Sequence, residues 1–261
     1  MVCFRKTNPP EGLEQANVFL DGTKLKFEEE ALFLGITIDS NLNWEKHCTN
    51  VANKISRNNS LINRVKKLLP PSSLKLLYDS FIQPHIHYGL PIWGGCSGQN
   101  KQRIISIQKR AIRTITKSYY SAHTEPRMKK IGLLKFDDLY KQQCLILTHD
   151  SIHNRAPYPI QLLVNKEQNP GGITLRNHTN NPLNIKVPNL KTRVGTRSYS
   201  ARGPLYWNEI ANSHKAIDKR EIFKKVIKND FLSSYSLQCK NCNNPMCRDH
   251  QHHEQHLGLA S

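Results

Sequence analysis

The segment WEKHCTNVANKISRNNSLINRVKKLL, residues 44–69, sets the structural character of the chain. Its apolar residues recur at steps of three and four, which is the spacing of one face of an α-helix. Pro70 and Pro71 end this helix, and Asn41 and Asn43 are the candidate caps at its start. The apolar stripe consists of Trp44, Cys48, Val51, Ile55, Ile62, Val65 and Leu69.

Helical spacing continues as far as residue 156. A second helix begins at Ser72 or Ser73 and contains Pro84, at which we expect a kink. A third helix contains Ile104, Ile107, Ile112 and Ile115, a short helix begins at Pro126, and a longer one extends over residues 136–153. We therefore predict a helical bundle with short connections over residues 41–156. The residues that we expect in its core are Phe33, Trp44, Tyr78, Pro84 and Trp93.

Residues 1–40 have a different pattern, which is typical of β-structure. Strand-like residues 17–20 and 23–27 flank Asp21-Gly22, and this arrangement predicts a β-hairpin. The apolar run 32–38 predicts a third, buried strand. Gly35 in its middle indicates a bulge or a close approach of the backbone to another group.

The C-terminal part divides by composition. Residues 157–192 are rich in Pro and Asn and read as a linker, residues 193–236 carry short helices, and residues 237–261 form a Cys/His-rich tail. The predicted fold class is mainly α, with a small N-terminal β element, a helical bundle and an irregular C-terminal region.

Composition excludes two classes of protein. The chain has 261 residues, and no apolar run approaches the roughly 20 residues that a membrane-spanning helix needs. The start of the sequence turns polar at once and lacks the apolar core of a secretory signal. Cys3, Cys48, Cys96 and Cys144 are scattered, as in a reducing compartment, so we expect an intracellular protein.

Positive charge is the strongest functional signal. The formal net charge is +18, and an excess of this size favours a polyanionic partner, with nucleic acid first. Residues 44–69 hold six basic residues and one acid, and residues 101–130 hold nine and one. A solvated helix face normally carries both positive and negative charges. These two segments carry almost only positive charges, so we expect their basic side chains to bind phosphates. The candidate contacts are Lys54, Arg57, Arg103, Lys109, Arg110, Arg113 and Lys117.

Several stretches, in the same order, resemble the reverse transcriptases of non-LTR retrotransposons, most closely the jockey-like, LINE-type group. The resemblance extends over roughly residues 15–235, and a further stretch at 223–228 fits the C-terminal region of that family. The stretches that carry it are FLGITIDSNLNWEKH (33–47), LYDSFIQPHIHYG (77–89), PIWG (91–94), IQKRAIR (107–113) and HTEP (123–126).

The resemblance implies a role in holding nucleic acid. In this family the Phe-Leu-Gly strand lies between palm and thumb, near the primer end, which implies nucleic-acid contacts at Phe33, Leu34 and Gly35. The following helices would be the thumb, which holds a template–primer duplex by its backbone. The implied partners are RNA, an RNA–DNA or DNA duplex, and an upstream palm region. The implied location is the nucleus or a cytoplasmic ribonucleoprotein.

Catalytic carboxylates are expected elsewhere. Polymerases of this kind bind two Mg²⁺ ions through an early Asp motif and an aromatic-x-Asp-Asp turn, and we expect both to precede residue 1. Asp137-Asp138 follows Phe136 directly, without the intervening residue, and begins a helix, where acids favour the helix dipole. Glu28, Glu29 and Glu30 read as a solvated turn. We therefore predict that this chain alone has no catalytic residues and does not polymerise.

The tail is a candidate zinc site. Cys239, Cys242, Cys247 and His250, with His252 as the alternative imidazole, supply the three thiolates and one nitrogen that tetrahedral zinc accepts. The spacing resembles retroelement zinc knuckles only loosely, and a frayed, His-rich terminus is the structural alternative.

Two other functions fit the same sequence. One is a non-catalytic, zinc-containing nucleic-acid-binding protein derived from a retroelement, and the other is a degenerate relic with no selected function. Stoichiometric zinc would favour the first, and incomplete folding would favour the second.

Overall fold

Two short antiparallel hairpins precede the helices in this computed structural model, which describes residues 18–26, 28–164 and 183–236. The first pairs β1 (Phe19–Leu20) with β2 (Thr23–Lys24) around Asp21 and Gly22, whose φ angles are both positive. This is the geometry that a two-residue Asp-Gly turn favours, and it confirms the predicted hairpin. The second pairs β3 (Glu30–Phe33) with β4 (Ile36–Asp39).

The prediction of one buried strand over 32–38 is wrong. Leu34 (φ 47°) and Gly35 (φ 79°) form a two-residue turn that divides the run into two strands. Leu32, Phe33 and Leu34 are 74%, 63% and 73% exposed, so the expected core position of Phe33 is wrong as well. Gly35 is required by the positive φ of a turn and not by a bulge. An apolar run of this length does not distinguish a buried strand from a protruding hairpin tip.

Helix α1 (Glu45–Val65) begins without the predicted cap. Asn41 and Asn43 contribute no capping side chain. The carboxylate of Asp39, at the end of β4, instead accepts the backbone N–H groups of Asn41, Asn43 and Trp44 at 2.8–3.1 Å. One acidic side chain therefore fixes the turn from the hairpin into the helix, because it accepts three backbone N–H groups that precede the first helical residue.

The predicted helices occur in the predicted order, but the structure adds short helices, one of them over 158–162 within the predicted linker. Pro84 lies at the second position of a new helix and is exposed, so it neither kinks a continuous helix nor belongs to the core. The helices are α2 (Pro71–Phe81), α3 (Gln83–His87), α4 (Leu90–Trp93), α5 (Gly98–Ile115), α6 (Glu125–Ile131), α7 (Phe136–Ile152), α8 (Tyr158–Leu162), α9 (Tyr199–Glu209), α10 (Asn212–Lys215) and α11 (Arg220–Ser234), with a 3₁₀ turn at Gly195–Arg197.

Helix α7 is the centre of the protein. It packs against α4 and α5 and also against α9 and α11. Its residues Thr148 and His149 are completely buried. The His149 ring stacks on Phe223 of α11 at 4.3 Å, and its Nε2 lies 2.7 Å from the Ile217 carbonyl oxygen. The predicted C-terminal region thus packs around a helix of the predicted bundle.

One continuous core joins these layers. Tyr78 and Trp93 are buried in it, as predicted, together with Ile55, Trp207 and Phe223. Trp44 packs against this core while remaining partly exposed. The structure confirms a mainly α fold with a small N-terminal β element. None of the described helices is long and apolar enough to cross a membrane.

Candidate nucleic-acid interface

Helices α1 and α5 lie side by side and run in the same direction. Near their starts, the Asn100 side chain donates to the Asn43 carbonyl oxygen at 3.1 Å, and Arg103 donates to Thr49 Oγ1 at 2.6 Å. Towards their ends, both helices line one groove. This parallel arrangement adds the positive charge of one helix to that of the other along a common surface.

The groove, called here the α1–α5 groove, has a volume of about 930 Å³. Basic residues come from both sides of it, and none of its described lining residues is acidic. The lining residues are Lys66, Lys67, Gln102, Ser106, Lys109, Arg110, Arg113, Thr114, Lys117, Ser118 and Tyr120.

The cations of this groove differ in how firmly they are held. Arg113 donates from Nε to the Ala122 carbonyl oxygen at 2.8 Å, which fixes its guanidinium against the loop after α5. Burial, and then the neighbouring Arg127 guanidinium, lowers the pKa of Arg113. Arginine remains charged at neutral pH in spite of this. A bound anion would offset both the burial of this charge and its repulsion by Arg127.

The structure brings together only part of the predicted contact set. Lys109, Arg110, Arg113 and Lys117 share the α1–α5 groove. Arg103 lies earlier on α5 and is tied to Thr49. Lys54 and Arg57 are exposed on α1, outside the lining of the groove.

The hairpin tip with Phe33, Leu34 and Gly35 lies at the other end of α1. Thr37 of β4 donates its backbone N–H to His47 Nδ1, in the first turn of α1, at 3.3 Å. The Tyr88 hydroxyl donates to the Leu34 carbonyl oxygen and supports the tip. Because α1 has 21 residues, about 30 Å of helix separates the tip from the groove. The predicted residues thus form two separate places along one helix.

Seven lining residues were absent from the predicted set, and three of these, Lys66, Lys67 and Tyr120, carry a positive charge or an aromatic ring. Lys66 and Lys67 had a signal, since they contribute to the basic excess of residues 44–69. Their approach to the end of α5 depends on the parallel packing, which no local pattern specifies. Tyr120 had no signal in charge or periodicity, because it lies in the loop between α5 and α6.

Three proteins of Drosophila melanogaster are similar to this chain. The probable RNA-directed DNA polymerase from transposon X-element is 29% identical over 122 residues, 44% of this chain and 13% of that protein. The RNA-directed DNA polymerase from mobile element jockey is 26% identical over 125 residues, 46% of this chain and 14% of that protein. The probable RNA-directed DNA polymerase from transposon BS is 30% identical over 109 residues, 40% of this chain and 12% of that protein.

The chain is similar to part of the LINE-type retrotransposon reverse transcriptases. The similar segments span between 12% and 14% of the length of these relatives. No protein-family model and no solved structure matches the chain.

Reverse transcriptases bind Mg²⁺ through carboxylates, so the surroundings of the acidic residues of this chain bear on its function. Asp137 accepts from Lys101 Nζ at 3.1 Å, and Asp138 accepts from the Tyr235 hydroxyl. Both carboxylates are therefore engaged by neighbouring side chains that join elements of the fold. Glu30 is likewise paired, with Lys46.

Metal ligands were predicted only in the tail. Within residues 18–26, 28–164 and 183–236, no group of three or more His, Cys, Asp or Glu side chains is arranged to hold a metal ion. The predicted zinc ligands Cys239, Cys242, Cys247 and His250, with the alternative His252, lie outside the described residues.

Proposed function

We propose that this chain binds nucleic acid through the phosphate backbone in the α1–α5 groove, as part of a LINE-type reverse transcriptase. The observation that carries the proposal is a groove whose described lining holds six basic side chains and no carboxylate. These side chains come from α5 and from the residues that directly follow the ends of the parallel helices α1 and α5. The likeness to three RNA-directed DNA polymerases supports the same class of partner.

The positive charges of the groove favour a polyanionic ligand over a ligand with a single acidic group. Lys66, Lys67, Lys109, Arg110 and Lys117 form no ion pair within the described part of the chain. Their mutual repulsion lowers the stability of the fold, and several phosphates on one strand would relieve it. Binding to such a strand releases condensed counterions, which gives affinity without base recognition.

In the intact polymerase we propose that this region grips the template–primer. The ligand would be RNA or an RNA–DNA or DNA duplex held by its backbone, and the palm with its Mg²⁺-binding carboxylates would be supplied by an upstream region. The hairpin tip at Phe33–Gly35 would then lie nearer the primer end than the groove does. This chain alone would bind template–primer and would not extend it.

Salt dependence tests the proposal. The probe is a fluorescent RNA–DNA hybrid with a single-stranded RNA overhang, and its affinity for the full chain is measured at several salt concentrations. With five or six phosphates contacted, at about 0.9 per contact, the slope of log affinity against log salt should be about −4.5 to −5.4. The triple variant Lys109→Ala, Arg110→Ala, Arg113→Ala should reduce the magnitude of the slope by about 2.7, or 0.9 per lost contact.

A matched variant supplies the control. Lys186→Ala, Lys191→Ala and Lys225→Ala remove the same charge at exposed positions outside the groove. They should leave most of the slope intact. If the two triple variants behave alike, the affinity reflects net charge only, and the groove is not the site.

For the tail we propose zinc binding. The donor set of three thiolates and an imidazole, at Cys239, Cys242, Cys247 and His250, fits a tetrahedral zinc ion. Zinc analysis of the purified full chain should give one ion per chain, and the double variant Cys239→Ser, Cys242→Ser should lose it. A wild-type chain that retains no zinc against a weak chelator would contradict this.

A further inference from the structure

Tyr120 lies on the rim of the α1–α5 groove with its side chain open to solvent. It is 90% exposed, although tyrosine carries a large apolar ring that usually gains stability from burial. It shares the groove lining with Arg113 and Lys117. An exposed aromatic ring beside several cations is the combination that single-strand binding surfaces use.

The loop that carries Tyr120 is held at several points. The Ser118 backbone N–H donates to the Arg113 carbonyl oxygen at 2.9 Å, and the Ala122 N–H donates to the Tyr119 carbonyl oxygen at 3.2 Å. Arg127 donates from Nε to Ser118 Oγ at 2.6 Å.

Arg113, which lines the groove, forms a further hydrogen bond to this loop. Its Nε donates to the Ala122 carbonyl oxygen at 2.8 Å, so the cation and the loop hold each other. Ala122 itself is only 6% exposed. Tyr120 thus lies in a loop whose ends are fixed by hydrogen bonds. Binding of a ligand to its ring therefore costs little conformational entropy of the loop.

We propose that the α1–α5 groove takes a single-stranded segment of nucleic acid, with one unpaired base stacked on Tyr120 and the adjoining phosphates on Lys109, Arg110, Arg113 and Lys117. This inference rests on the proposed nucleic-acid function and assigns the groove to the single-stranded part of the template–primer, next to the duplex that the region holds. In a duplex both faces of an internal base are covered by its neighbours, so only an unpaired or terminal base offers a free face to the ring. Stacking of this kind tolerates any base sequence.

Three probes separate stacking from charge. They are an oligothymidylate of about 12 nucleotides, within the range that single-strand grooves cover, an abasic oligomer with the same number of phosphates, and a duplex closed at both ends by non-nucleotide linkers. All are fluorescently labelled and titrated with the full chain. The abasic oligomer keeps every phosphate and lacks every base, so it reports the electrostatic contribution alone.

Tyr120→Leu should weaken binding of the oligothymidylate about 5- to 10-fold, towards the lower end of measured stacking contributions. Binding of the abasic oligomer and of the duplex should not change. Tyr120→Trp should restore or exceed the wild-type affinity, because it offers a larger ring. Tyr158→Leu, at a tyrosine that is 66% exposed and outside the groove, is the matched control and should have no effect.

The possible outcomes distinguish failure of this inference from failure of the proposed nucleic-acid binding. Equal losses for all three probes in Tyr120→Leu would mean that the loop had moved, and unchanged binding of all three would mean that no base stacks there; either result overturns the inference. If the Lys109, Arg110, Arg113 triple variant still weakens binding of every probe in those cases, the proposed nucleic-acid function stands. If that variant has no effect either, both fail.

Discussion

The hydroxyl of Tyr235 donates to Oδ2 of Asp138 and accepts the backbone N–H of Lys135 at 2.9 Å. This contact joins the segment just after α11 to the start of the central helix α7. Burial, and then the hydrogen bond to Asp138, raises the pKa of Tyr235, so its hydroxyl stays protonated and remains a donor. Asp138, one acid of the pair that stands out in the sequence, is therefore part of the attachment of the C-terminal helix.

Removal of this hydroxyl should destabilise the fold. Tyr235→Phe keeps the ring and leaves Asp138 Oδ2 and the Lys135 N–H without their partner. We expect the free energy of unfolding to fall by about 1–2 kcal/mol, the usual cost of an unpaired, partly buried polar group. Urea unfolding measures it, and Tyr158→Phe, at an exposed tyrosine, is the control. A loss no larger than the control's would mean that the contact does not hold α11 in place.

Gly95 should not tolerate a side chain. A Cβ atom there would lie 2.2 Å from the Arg197 carbonyl oxygen and 3.1 Å from the Tyr140 hydroxyl, so backbone would have to move. Gly95→Ala should lower the free energy of unfolding by about 1–3 kcal/mol through overpacking. Gly98→Ala, three residues later, meets no atom within 4 Å and should change stability by less than about 0.5 kcal/mol. Equal effects in urea unfolding would contradict this packing of residues 195–197.

His87 should make the fold sensitive to acid. Burial, followed by the charge of Lys224 on α11, lowers the pKa of His87 to about 4, while Asp79 acts in the opposite direction and Lys228 adds to the lowering. The unfolded chain has a histidine pKa near 6.5. Between these values the unfolded state binds more protons, so stability is lost as the pH falls from about 6.5 to about 4. The difference corresponds to at most roughly 3 kcal/mol.

Two variants separate this titration from a loss of packing. His87→Leu should flatten the dependence of the unfolding free energy on pH between 6.5 and 4. A residual slope should remain, because burial also lowers the pKa values of His47 and His153. Ile86→Val, at the buried neighbour, should lower stability by about 1 kcal/mol at every pH and leave the slope alone. An unchanged slope in His87→Leu would assign the acid sensitivity to other groups.

Lys66 and Lys67 test the parallel packing of α1 and α5. If both contact phosphates in the groove, Lys66→Ala with Lys67→Ala should reduce the magnitude of the salt slope by about 1.8, or 0.9 for each contact. Binding of the template–primer probe at several salt concentrations measures it. Lys186→Ala with Lys225→Ala removes the same charge outside the groove and should have a smaller effect. Without such a difference, α1 contributes no more than the general charge of the protein.

Local patterns predicted the elements better than their arrangement. Helical periodicity placed α1 and α7 within a few residues and located α2 and α5 without their full extents, and the charge count identified four of the groove's cations. The start of α1 is fixed by Asp39, a residue of the preceding strand, because a carboxylate five residues away reaches the Trp44 N–H once the chain turns. Patterns within one segment do not encode such contacts between segments.

The same limit explains the two largest errors. The run 32–38 is apolar throughout, so its composition does not reveal a turn at Leu34-Gly35 or the exposure of the tip. Tyr120 is one aromatic residue in a loop, and its position over the groove follows from the hydrogen bonds of Arg113 and Arg127. Both features depend on tertiary packing, and both lie on the surfaces that we connect with nucleic acid.

Cys48 and Cys96 should form a disulfide when the protein is oxidised. Their Sγ atoms are 3.7 Å apart, although 48 residues separate them in sequence, and both are buried. The Cys48 thiol donates to Cys96, and this hydrogen bond, more than the charges of Lys101 and Arg197, lowers the pKa of Cys96. The Cys96 thiolate would attack hydrogen peroxide to give a sulfenic acid and hydroxide. Cys48 would then displace that oxygen as water and close the S–S bond.

Peptide mapping after mild peroxide treatment measures the product. We expect a crosslink between the peptides that carry Cys48 and Cys96, reversible by dithiothreitol, and a higher thermal midpoint, because closing a loop of this size stabilises by up to about 4 kcal/mol in the chain-entropy model. Cys144 is also buried, but it has no cysteine neighbour within the described residues and should stay reduced. Cys48→Ser should abolish the crosslink and the gain in stability. Crosslinks of Cys96 to any other cysteine would contradict the packing of α1 against the loop between α4 and α5, and with it the alignment of α1 beside α5.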